Sequence, residues 1–374
     1  MQKKSILRNL IALSLIPGFG ARKIREFVRS EETIANLFSL SKSKLRSFEG
    51  VGEASALAIL SFKDWDRVDS IISNTERIGA RFVTISDPEY PELLKQIYDP
   101  PTLFWMKGNP EVFEKPGIAV IGTRNPSVYG KKKAAQLAGE LAEKGFSIIS
   151  GLAYGIDAIA HRAALDANGS TVAVLGSGID NIYPQKHLQL AKDIVKSGGA
   201  VISEFPLGTK PDAVNFPVRN RIVSGMSLGV LVIESGMQGG SMITAELGLD
   251  QNREVFALPH NLDNLSGSGG NYLIKKGAAK LVQVLDDIVE ELPVMYNEKA
   301  KEEKVDWPEK QKWRELDLDH LSKSVCEKLE EEPFQIDDLS EVLQLNTNEL
   351  LVVLLQLEMA GLVRQKAGKI FELI

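Results

Sequence analysis

Short apolar segments recur through the middle of the chain, and a glycine, a proline or a polar residue follows each of them. The segments are Ile118–Ile121, Ser147–Ser150, Thr171–Leu175, Ala200–Ile202, Leu228–Ile233 and Val255–Leu258. Runs of this length are typical of buried β-strands, and helix-compatible sequence separates most of them. Strands that alternate with helices predict an α/β fold with a parallel, doubly wound sheet. Ligands of such sheets bind at the carboxyl ends of the strands, so the residues that follow the strands are the candidates for a site.

The residues after the first of these strands are suited to binding a phosphate group. In Gly122-Thr123-Arg124 a glycine allows the backbone to approach a ligand, a hydroxyl follows, and a guanidinium can donate two hydrogen bonds to a phosphate. Segments that follow the other strands supply further small or cationic residues: Ser150, Gly151, Lys186, Arg219, Arg221, Gly239, Gly240 and Ser241. Gly239-Gly240-Ser241 opens a predicted helix, and helix N-termini bind anions. We therefore predict an anion site at this edge.

Some of these residues also have a structural explanation. Arg219 and Arg221 could tie loops together through ion pairs, and we expect one of the two to do so. Lys186 could be solvated surface, and Gly239-Gly240 could be a simple turn. Arg124 is the hardest to explain in this way, because it directly follows a buried strand at the binding edge.

Motifs of nucleotide-binding and catalytic proteins are absent from the sequence. Gly122-Thr123-Arg124 does not continue into Gly-x-Gly-x-x-Gly, and Gly176-Ser-Gly178 has Asn181 where a third glycine would stand. There is no Walker lysine loop, no Gly-x-Ser-x-Gly and no His-Glu-x-x-His, and none of the four histidines has metal-ligand spacing. A nicotinamide dehydrogenase is disfavoured, and we predict no catalytic residue, metal or cofactor.

Titratable residues of the central region leave two explanations open. Asp157 and His161 are one helical turn apart, which suits a helix-surface pair at least as well as a ligand contact. Glu204, Glu234 and Glu246 could form a carboxylate cluster, although acidic residues at strand ends are also ordinary structural ties.

The first eighty residues repeat a pattern of helix, Gly-x-Gly turn and helix. Gly18-Phe19-Gly20 precedes Arg22 and Lys23, and Gly50-Val51-Gly52 precedes the apolar run Ala54–Leu60. Glycines at these positions let the backbone turn tightly and aim its N–H groups at a phosphate. The repeat resembles tandem helix-hairpin-helix modules, which bind the DNA backbone without reading its sequence. The resemblance implies DNA phosphate contacts from Gly18, Gly20, Arg22 and Lys23; the alternative is two helix pairs joined by glycine turns without a ligand. Glu49 and Glu53 flank the second turn and favour a purely structural role for it.

Charge is distributed unevenly along the chain. The formal net charge is −6, but lysine and arginine are frequent in the first fifty residues and acidic residues are frequent after Glu290. Such asymmetry is compatible with a nucleic-acid-binding face on an acidic protein. The single cysteine, Cys326, excludes an internal disulfide and suits a reducing cytosol, so a cytoplasmic protein is expected. No apolar run is long enough to cross a membrane.

The carboxyl-terminal region has a different pattern. Leu292–Lys312 is charged and contains Pro293 and Pro308, which predicts a linker. Three helices are predicted after it, followed by a two-stranded wing around Gly368: Leu321–Leu329, Ile336–Leu345 and Thr347–Ala360. This is a winged-helix pattern. Its third helix is almost wholly aliphatic over Leu350–Leu357, whereas DNA-reading helices need polar and basic side chains. We predict a protein-contact or regulatory module.

The ordered motifs of the central region resemble those of the DNA-processing protein A family of bacteria (DprA, also called Smf). The motifs begin with Gly122-Thr-Arg124 and end with Gly270-Asn-Tyr-Leu-Ile-x-x-Gly-Ala278; between them come Ser150-Gly-Leu-Ala-Tyr-Gly-Ile-Asp157, Gly176–Pro184, Ser203-Glu204, Phe216-Pro-x-Arg-Asn-Arg221 and Gly240-Ser-Met-Ile-Thr-Ala245. The resemblance implies an extended Rossmann-like domain that binds single-stranded DNA in a basic pocket and dimerises. It also implies that RecA recombinase is loaded onto incoming DNA during natural transformation.

The resemblance assigns roles to particular residues. Arg124 would hold backbone phosphate, with Gly122 and Thr123 shaping the pocket. Lys186 would be a second cation, although Gln185 could occupy that position instead. Arg219 and Arg221 match the family's Arg-Asn-Arg, for which support of the pocket is as plausible as contact. Pro259 is followed by His260 where the family usually has glycine, which puts that turn in doubt.

These observations predict four segments: a helix-hairpin-helix (SAM-like) domain over 1–80, a Rossmann-like DNA-binding domain over 81–291, a linker over 292–316 and a winged-helix domain over 317–374. The expected protein is a non-catalytic homodimer that binds single-stranded DNA and RecA. The alternative is a nucleotide phosphoribohydrolase of the lysine-decarboxylase-like type. Gly239-Gly240-Ser-Met-Ile-Thr244-Ala-Glu246 keeps the glutamate spacing of that type but lacks its third glycine.

Overall fold

The computed structural model describes residues 2–28, 31–292, 312–316, 318–331, 333–343, 345–360, 362–366 and 370–373. The chain forms two compact units, residues 1–300 and 301–374. Most of the predicted linker 292–316 lies outside the described residues. Within the described ranges, none of the helices has the length and apolar character that crossing a membrane requires.

A single mixed sheet forms the centre of the first unit. Its strands in chain order are β1 (Arg81–Thr84), β2 (Leu103–Gly108), β3 (Gly117–Gly122), β4 (Ser147–Ser150), β5 (Ser170–Leu175), β6 (Ala200–Ser203), β7 (Gly229–Glu234), β8 (Glu254–Ala257) and β9 (Lys280–Leu281). Their order across the sheet is β1-β2-β6-β5-β4-β3-β7-β8-β9. The seven strands β6-β5-β4-β3-β7-β8-β9 run parallel to one another. At the β6 edge, β1 and β2 add an antiparallel pair.

This topology confirms the predicted doubly wound α/β sheet. The chain builds outward from β3 to β6, then returns to place β7 on the other side of β3. The reversal creates a switch point between β3 and β7, where the loops after both strands diverge and leave a crevice. The six predicted strands correspond to β3 through β8. The proline-rich sequence before Ile118 predicts a lead-in strand, which corresponds to β2, whereas β1 and the two-residue β9 were not predicted.

Helices cover both faces of the sheet because each central strand is apolar on both sides. In β3, Ile118 and Val120 enter one core cluster while Ala119 and Ile121 enter another, as the two-residue period of a strand requires. The helices of the first unit in chain order are α1 (Gln2–Leu15), α2 (Ala21–Val28), α3 (Glu31–Ala35), α4 (Lys42–Arg46), α5 (Glu53–Leu60), α6 (Trp65–Arg77), α7 (Glu92–Lys95), α8 (Val128–Glu143), α9 (Ile156–Asp166), α10 (Leu188–Lys196), α11 (Asn215–Gly225), α12 (Gly240–Asp250), α13 (Ser268–Lys275) and α14 (Asp286–Val289). Helices α8 and α9 pack on one face, and α11 and α12 pack on the other.

The amino-terminal helices share a hydrophobic core with one end of the sheet. Leu10 and Phe27 belong to the same buried cluster as Trp105 of β2 and Ile194 of α10. The Trp105 indole also donates a hydrogen bond of 3.0 Å to the Thr75 hydroxyl of α6. Residues 1–80 are therefore packed against the sheet within one compact unit.

The second unit contains three helices and a small sheet in its described part. The helices are His320–Glu331, Ile336–Leu343 and Thr347–Met359, and the strands are Phe334–Gln335, Val363–Lys366 and Ile370–Leu373. Ile370–Leu373 lies between the other two strands, and the short strand Phe334–Gln335 was not predicted. The predicted wing residue Gly368 lies outside the described residues. On the third helix, Leu350 and Leu354 are buried, whereas Leu351, Val352 and Leu355 are exposed.

Candidate nucleic-acid interface

A cleft of about 310 Å³ lies at the switch point of the sheet. The loop after β3 forms one wall and the loop from β7 into α12 forms another, while α11 closes the side. The lining residues are Ile121, Gly122, Thr123, Arg124, Gly151, Ala153, Asp157, Phe216, Arg219, Asn220, Val223, Ser235, Gly236, Gly239, Gly240, Ser241 and Thr244. We call this space the cleft. It brings together most of the residues that were predicted from the strand ends.

Arg124 is an exposed cation, and backbone hydrogen bonds hold the residue before it in place. The N–H of Thr123 donates to the Glu234 carbonyl at 2.7 Å, and the N–H of Ile156 donates to the Thr123 carbonyl at 3.2 Å. The Arg124 guanidinium lies 5.7 Å from the centroid of the Phe216 ring. It has no ion-pair partner among the described residues. An arginine held in place without a carboxylate partner is available to an anionic ligand.

The loop from β4 into α9 packs closely against the backbone of Thr123 and Arg124. Gly155 has a φ of +77°, and a β-carbon there would stand 2.6 Å from the Arg124 carbonyl oxygen, so only glycine fits. Leu152 also has a positive φ, +58°, although it is not glycine. Its carbonyl accepts a 2.8 Å hydrogen bond from Nδ1 of His187. A left-handed residue of this kind costs about 1–2 kcal/mol, and such strain is concentrated at functional sites.

The floor of the cleft contains a buried charge pair of opposite sign. Arg219 is 5% exposed and donates to the Val174 carbonyl, while its Nε has no partner in the described structure. Burial lowers the pKa of Arg219 to about 10, although nearby Asp157 acts in the other direction. The Asp157 carboxylate accepts from the N–H groups of Gly151 (3.1 Å) and Ala153 (3.3 Å). Burial raises the pKa of Asp157, and Arg219 opposes that rise.

The opposite wall is the N-terminus of α12. Gly239 precedes this helix and provides no side-chain cap, and no acidic residue lies in the first turn. The Ser241 hydroxyl donates to the Ser235 hydroxyl at 2.7 Å, which joins the helix start to the end of β7. The partial positive charge of the helix end therefore faces the cleft together with Arg124 and Arg219.

An aromatic groove adjoins the cleft at Arg124. Phe216 and Tyr183 line it with their ring centroids 5.9 Å apart, and Tyr183 is 41% exposed. Asn220 lines both spaces and donates to the Gly240 carbonyl at 3.4 Å. Phe216 and Asn220 were not predicted as site residues. Their position within the Phe-Pro-x-Arg-Asn-Arg motif was the signal that could have identified them.

The structure places three of the predicted residues outside the cleft. The Ser150 hydroxyl is fully buried and donates to the Val120 carbonyl at 2.7 Å, which makes it a tie between strands. Arg221 is 6% exposed and pairs with Asp99 (2.9 Å) and Glu204 (2.7 Å). Lys186 is an exposed residue that does not line the cleft. The assignments of Ser150 and Arg221 to the site are corrected accordingly, and Arg221 is the arginine of the pair that ties loops together. The contact of Lys186 with DNA stays a prediction.

Asp157 and His161 do not form a pair on the helix surface, because both are buried. The Thr171 hydroxyl donates to the Ile148 carbonyl at 2.6 Å, so it accepts its 2.6 Å hydrogen bond with His161 from Nδ1–H. Burial, reinforced by Arg219 and His187, lowers the pKa of His161 to about 3. His161 is therefore a neutral core residue, and only Asp157 reaches the cleft.

The three glutamates are separated. Glu204 binds Arg221, and Glu246 is exposed on α12. Glu234 is fully buried and accepts hydrogen bonds from the N–H and the hydroxyl of Ser127 (3.0 and 2.8 Å) and from the Ser266 hydroxyl. The possible carboxylate cluster is absent, and no group of acidic, histidine or cysteine side chains in the described ranges could hold a metal ion.

His260 fits the turn after β8 without strain. Its φ is negative, and its backbone N–H and C=O exchange hydrogen bonds with the Asn271 side chain at 2.9 and 2.8 Å. Its Nε2 donates to the Ile233 carbonyl at 2.7 Å. The turn therefore does not need the glycine that was expected there.

The two Gly-x-Gly turns at the amino terminus lie close together. Gly18 and Gly50 have φ values of +82° and +72°, and a β-carbon on Gly50 would stand 3.8 Å from Cγ of Lys23. The Lys23 ammonium lies 5.6 Å from the centroid of the Phe19 ring and has no ion-pair partner in the part of the chain that the structure describes. In the second turn, Glu53 is paired with Lys42 at 2.7 Å. The side chain of Arg22 lies outside the described residues.

Comparison with known proteins identifies the family. The family model for DNA recombination-mediator protein A matches residues 81–293, and the model for the DprA winged helix domain matches residues 310–369. The chain belongs to the DprA family. A DprA-family relative, protein Smf of Synechocystis sp., is 32% identical over 391 residues, which cover 96% of both chains. The DNA processing protein DprA of Bacillus subtilis is 41% identical over 63% of this chain and 80% of its own.

Solved structures of DprA proteins have the same fold. The X-ray structure of DprA from Streptococcus pneumoniae matches with a TM-score of 0.67 and 31% identity, covering 77% of this chain and 98% of that one. A structure that describes the single-stranded DNA binding mode of DNA processing protein A from Helicobacter pylori matches with a TM-score of 0.51 and 30% identity. It covers 56% of this chain and 94% of that one.

Proposed function

We propose that the cleft binds the phosphate backbone of single-stranded DNA. The observation that carries this proposal is the exposed, unpaired Arg124 guanidinium between a buried arginine and a helix N-terminus. Arg124, Arg219 and the helix N-terminus contribute positive potential, against the carboxylate of Asp157, in a space of about 310 Å³, which admits a phosphate group but is too small for a duplex. The single-stranded DNA binding described for the Helicobacter pylori protein supports the same ligand class.

The aromatic groove is suited to the bases. Phe216 and the exposed Tyr183 lie beside Arg124, so a base can stack there while its phosphate occupies the cleft. Stacking on aromatic rings contributes about 1–3 kcal/mol per base and does not depend on sequence. Binding is therefore proposed to tolerate any sequence and to weaken steeply as salt is added.

The test is fluorescence anisotropy with a labelled oligothymidylate across a salt series. Arg124→Ala is expected to lower the affinity about 10- to 100-fold, the range for one charge-assisted contact, and to reduce the salt slope by about one. Arg67→Ala is the matched control, because Arg67 is an exposed arginine on α6 away from the cleft. Equal affinity of Arg124→Ala and wild type would refute the proposal.

We further propose a non-catalytic role in which bound DNA is protected and presented to a RecA recombinase during natural transformation, by a homodimer formed through the Rossmann-like domain. Membership of a family described as a recombination mediator supports this role. Strand-exchange assays with RecA and single-stranded DNA coated by a competing binding protein test it, and sedimentation velocity tests the dimer. If adding the protein does not shorten the lag before strand exchange begins, the loading role is wrong.

The phosphoribohydrolase alternative gains no support from the site. Glu234 is enclosed by hydroxyl groups and Glu246 is exposed away from the cleft lining, so Asp157 is the carboxylate that reaches the cleft among the described residues. Incubation with nucleoside monophosphates is expected to release no free base.

Two further regions extend the proposal. We propose that Gly18, Gly20 and Lys23 form a minor phosphate contact, because Lys23 is unpaired in the described structure whereas the second turn is occupied by the Lys42–Glu53 pair.

For the carboxyl-terminal unit we propose a contact with a protein that has an apolar surface and a basic rim. The exposed Leu351, Val352 and Leu355 beside the acidic Glu349 favour such a partner over DNA.

A further inference from the structure

Arg124 lines a third space besides the cleft and the aromatic groove, and this space is a groove of about 490 Å³. We call it the basic groove. Its lining residues are Arg124, Asn125, Pro126, Lys131, Tyr154, Gly155, Ala158, Ile159, Arg162 and His187. It shares Arg124 with the other two spaces, so a chain that crosses Arg124 can continue into it.

The basic groove is lined by cations and by no acidic residue. Lys131 on α8 and Arg162 on α9 are both exposed, and neither has an ion-pair partner within the described ranges. Helix α8 is fixed at its start, because the Ser127 hydroxyl caps it by accepting from the Gly130 N–H at 3.1 Å. Arg124, Lys131 and Arg162 therefore line one groove together, and a polyanion bound there would neutralise them.

The basic groove also contains an aromatic side chain, that of Tyr154. Tyr154 is 41% exposed, and its ring packs edge-on against His187 with a centroid distance of 5.1 Å. His187 is itself 5% exposed and is held by its hydrogen bond to the Leu152 carbonyl. Tyr154 thus presents an open ring on a rigid support, which is the arrangement that stacks an unpaired base.

The protein surface next to Arg162 becomes acidic outside the basic groove. Arg162 also lines a neighbouring hollow, and there it lies among Glu140, Glu143 and Asp166. A polyanionic strand is repelled by such a surface, so the favourable path begins at Arg124 and ends at Arg162.

We propose that the basic groove is a second nucleotide subsite, in which Lys131 and Arg162 bind backbone phosphates and Tyr154 stacks a base. The inference rests on the proposed function, because it continues the single strand that Arg124 holds. It assigns the protein a footprint longer than the cleft and bounded by the acidic hollow.

The experiment is anisotropy with oligothymidylates of increasing length. Wild-type affinity is expected to rise with length until both subsites are filled. Lys131→Ala combined with Arg162→Ala should bind the shortest oligonucleotide like wild type, but should bind long ones about tenfold or more weakly, with a salt slope reduced by about two. Lys132→Ala combined with Arg77→Ala is the control, because both residues are exposed and line neither the cleft nor the basic groove.

Substitutions of Tyr154 separate stacking from charge. Tyr154→Phe keeps the ring and should preserve affinity for long oligonucleotides, whereas Tyr154→Ala should lower it several-fold without changing the salt slope. If the Lys131/Arg162 double variant binds long oligonucleotides like wild type, the subsite is refuted while the Arg124 result still decides the proposed function. If wild-type protein binds no oligonucleotide, the proposed function fails, and this inference fails with it.

Discussion

The guanidinium of Arg219 occupies the space that a β-carbon on residue 151 would need. An ideal β-carbon at Gly151 would stand 2.5 Å from Cζ of Arg219, closer than real contacts allow. The absence of a side chain at Gly151 therefore allows the arginine to lie flat under the cleft. Because burial lowers the pKa of Arg219 only to about 10, the group remains a fixed positive charge at neutral pH.

Gly151→Ala is expected to displace this guanidinium. Overpacking of a buried site costs about 1–3 kcal/mol, so the free energy of unfolding should fall by that amount. Affinity for single-stranded DNA should fall with it, because the charge in the cleft floor moves. Urea denaturation and anisotropy measure the two effects. The control is Gly139→Ala in α8, where the nearest atom to the new β-carbon is 3.9 Å away, and a gain of about 0.5–1 kcal/mol is expected. Equal stabilities of the two variants would contradict this account.

Arg221→Met and Arg124→Met should affect different properties: the first should lower stability, and the second should weaken DNA binding. Loss of the buried Arg221 leaves the partly buried Glu204, whose side chain is 19% exposed, without its cation, so the expected cost is about 3 kcal/mol of stability, the low end of the range for a buried ion pair. The salt slope for DNA binding should not change, because Arg221 lies outside the cleft. Arg124→Met should change stability by less than about 0.5 kcal/mol and reduce the salt slope. A shallower slope in a folded Arg221 variant would return that residue to the site.

His161 should make stability depend on pH. Its pKa in the folded protein is about 3, against an ordinary value of 6.5, because the ring is buried. Between these values the unfolded chain binds the proton preferentially. The stabilising contribution is therefore complete above pH 6.5 and declines as the pH falls, by about 2 kcal/mol at pH 5.

His161→Asn isolates this effect from the titration of other groups. An asparagine amide can still donate to the Thr171 hydroxyl but does not titrate. The variant is expected to be less stable at pH 7.5 and to lose less stability than wild type between pH 7.5 and pH 5. Denaturation curves at both values measure the difference. Identical losses in the two proteins would show that His161 is not the group responsible.

The exposed leucines of the carboxyl-terminal unit should be dispensable for its folding. Leu351→Ser combined with Leu355→Ser is expected to change stability by about 1 kcal/mol or less and to leave DNA affinity unaltered. Leu354→Ala, one residue away but fully buried, should cost about 2–5 kcal/mol. Weaker DNA binding by the double serine variant would argue that this surface contacts DNA.

The predicted strands and the loops that follow them could be derived from the sequence because their signals are local. Apolar runs such as Leu228–Ile233, each ended by glycine or a polar residue, identify a buried strand without knowledge of its neighbours. The short strands β1 and β9 were missed for the same reason. Arg81–Thr84 and Lys280–Leu281 carry little apolar pattern, and their pairing with an existing sheet edge is what makes them strands.

The position of Gly122, Thr123 and Arg124 at the binding edge of a parallel sheet follows from local sequence alone, because residues that come directly after a buried strand must lie at its carboxyl end. The different roles of Arg219 and Arg221 could be recognised only from three-dimensional contacts. Residues two apart on a helix point about 200° apart, so one of them must face away from the cleft. Which one does so depends on how α11 packs against the sheet and on the presence of Asp99 and Glu204 beside Arg221, and these are contacts between segments far apart in the chain.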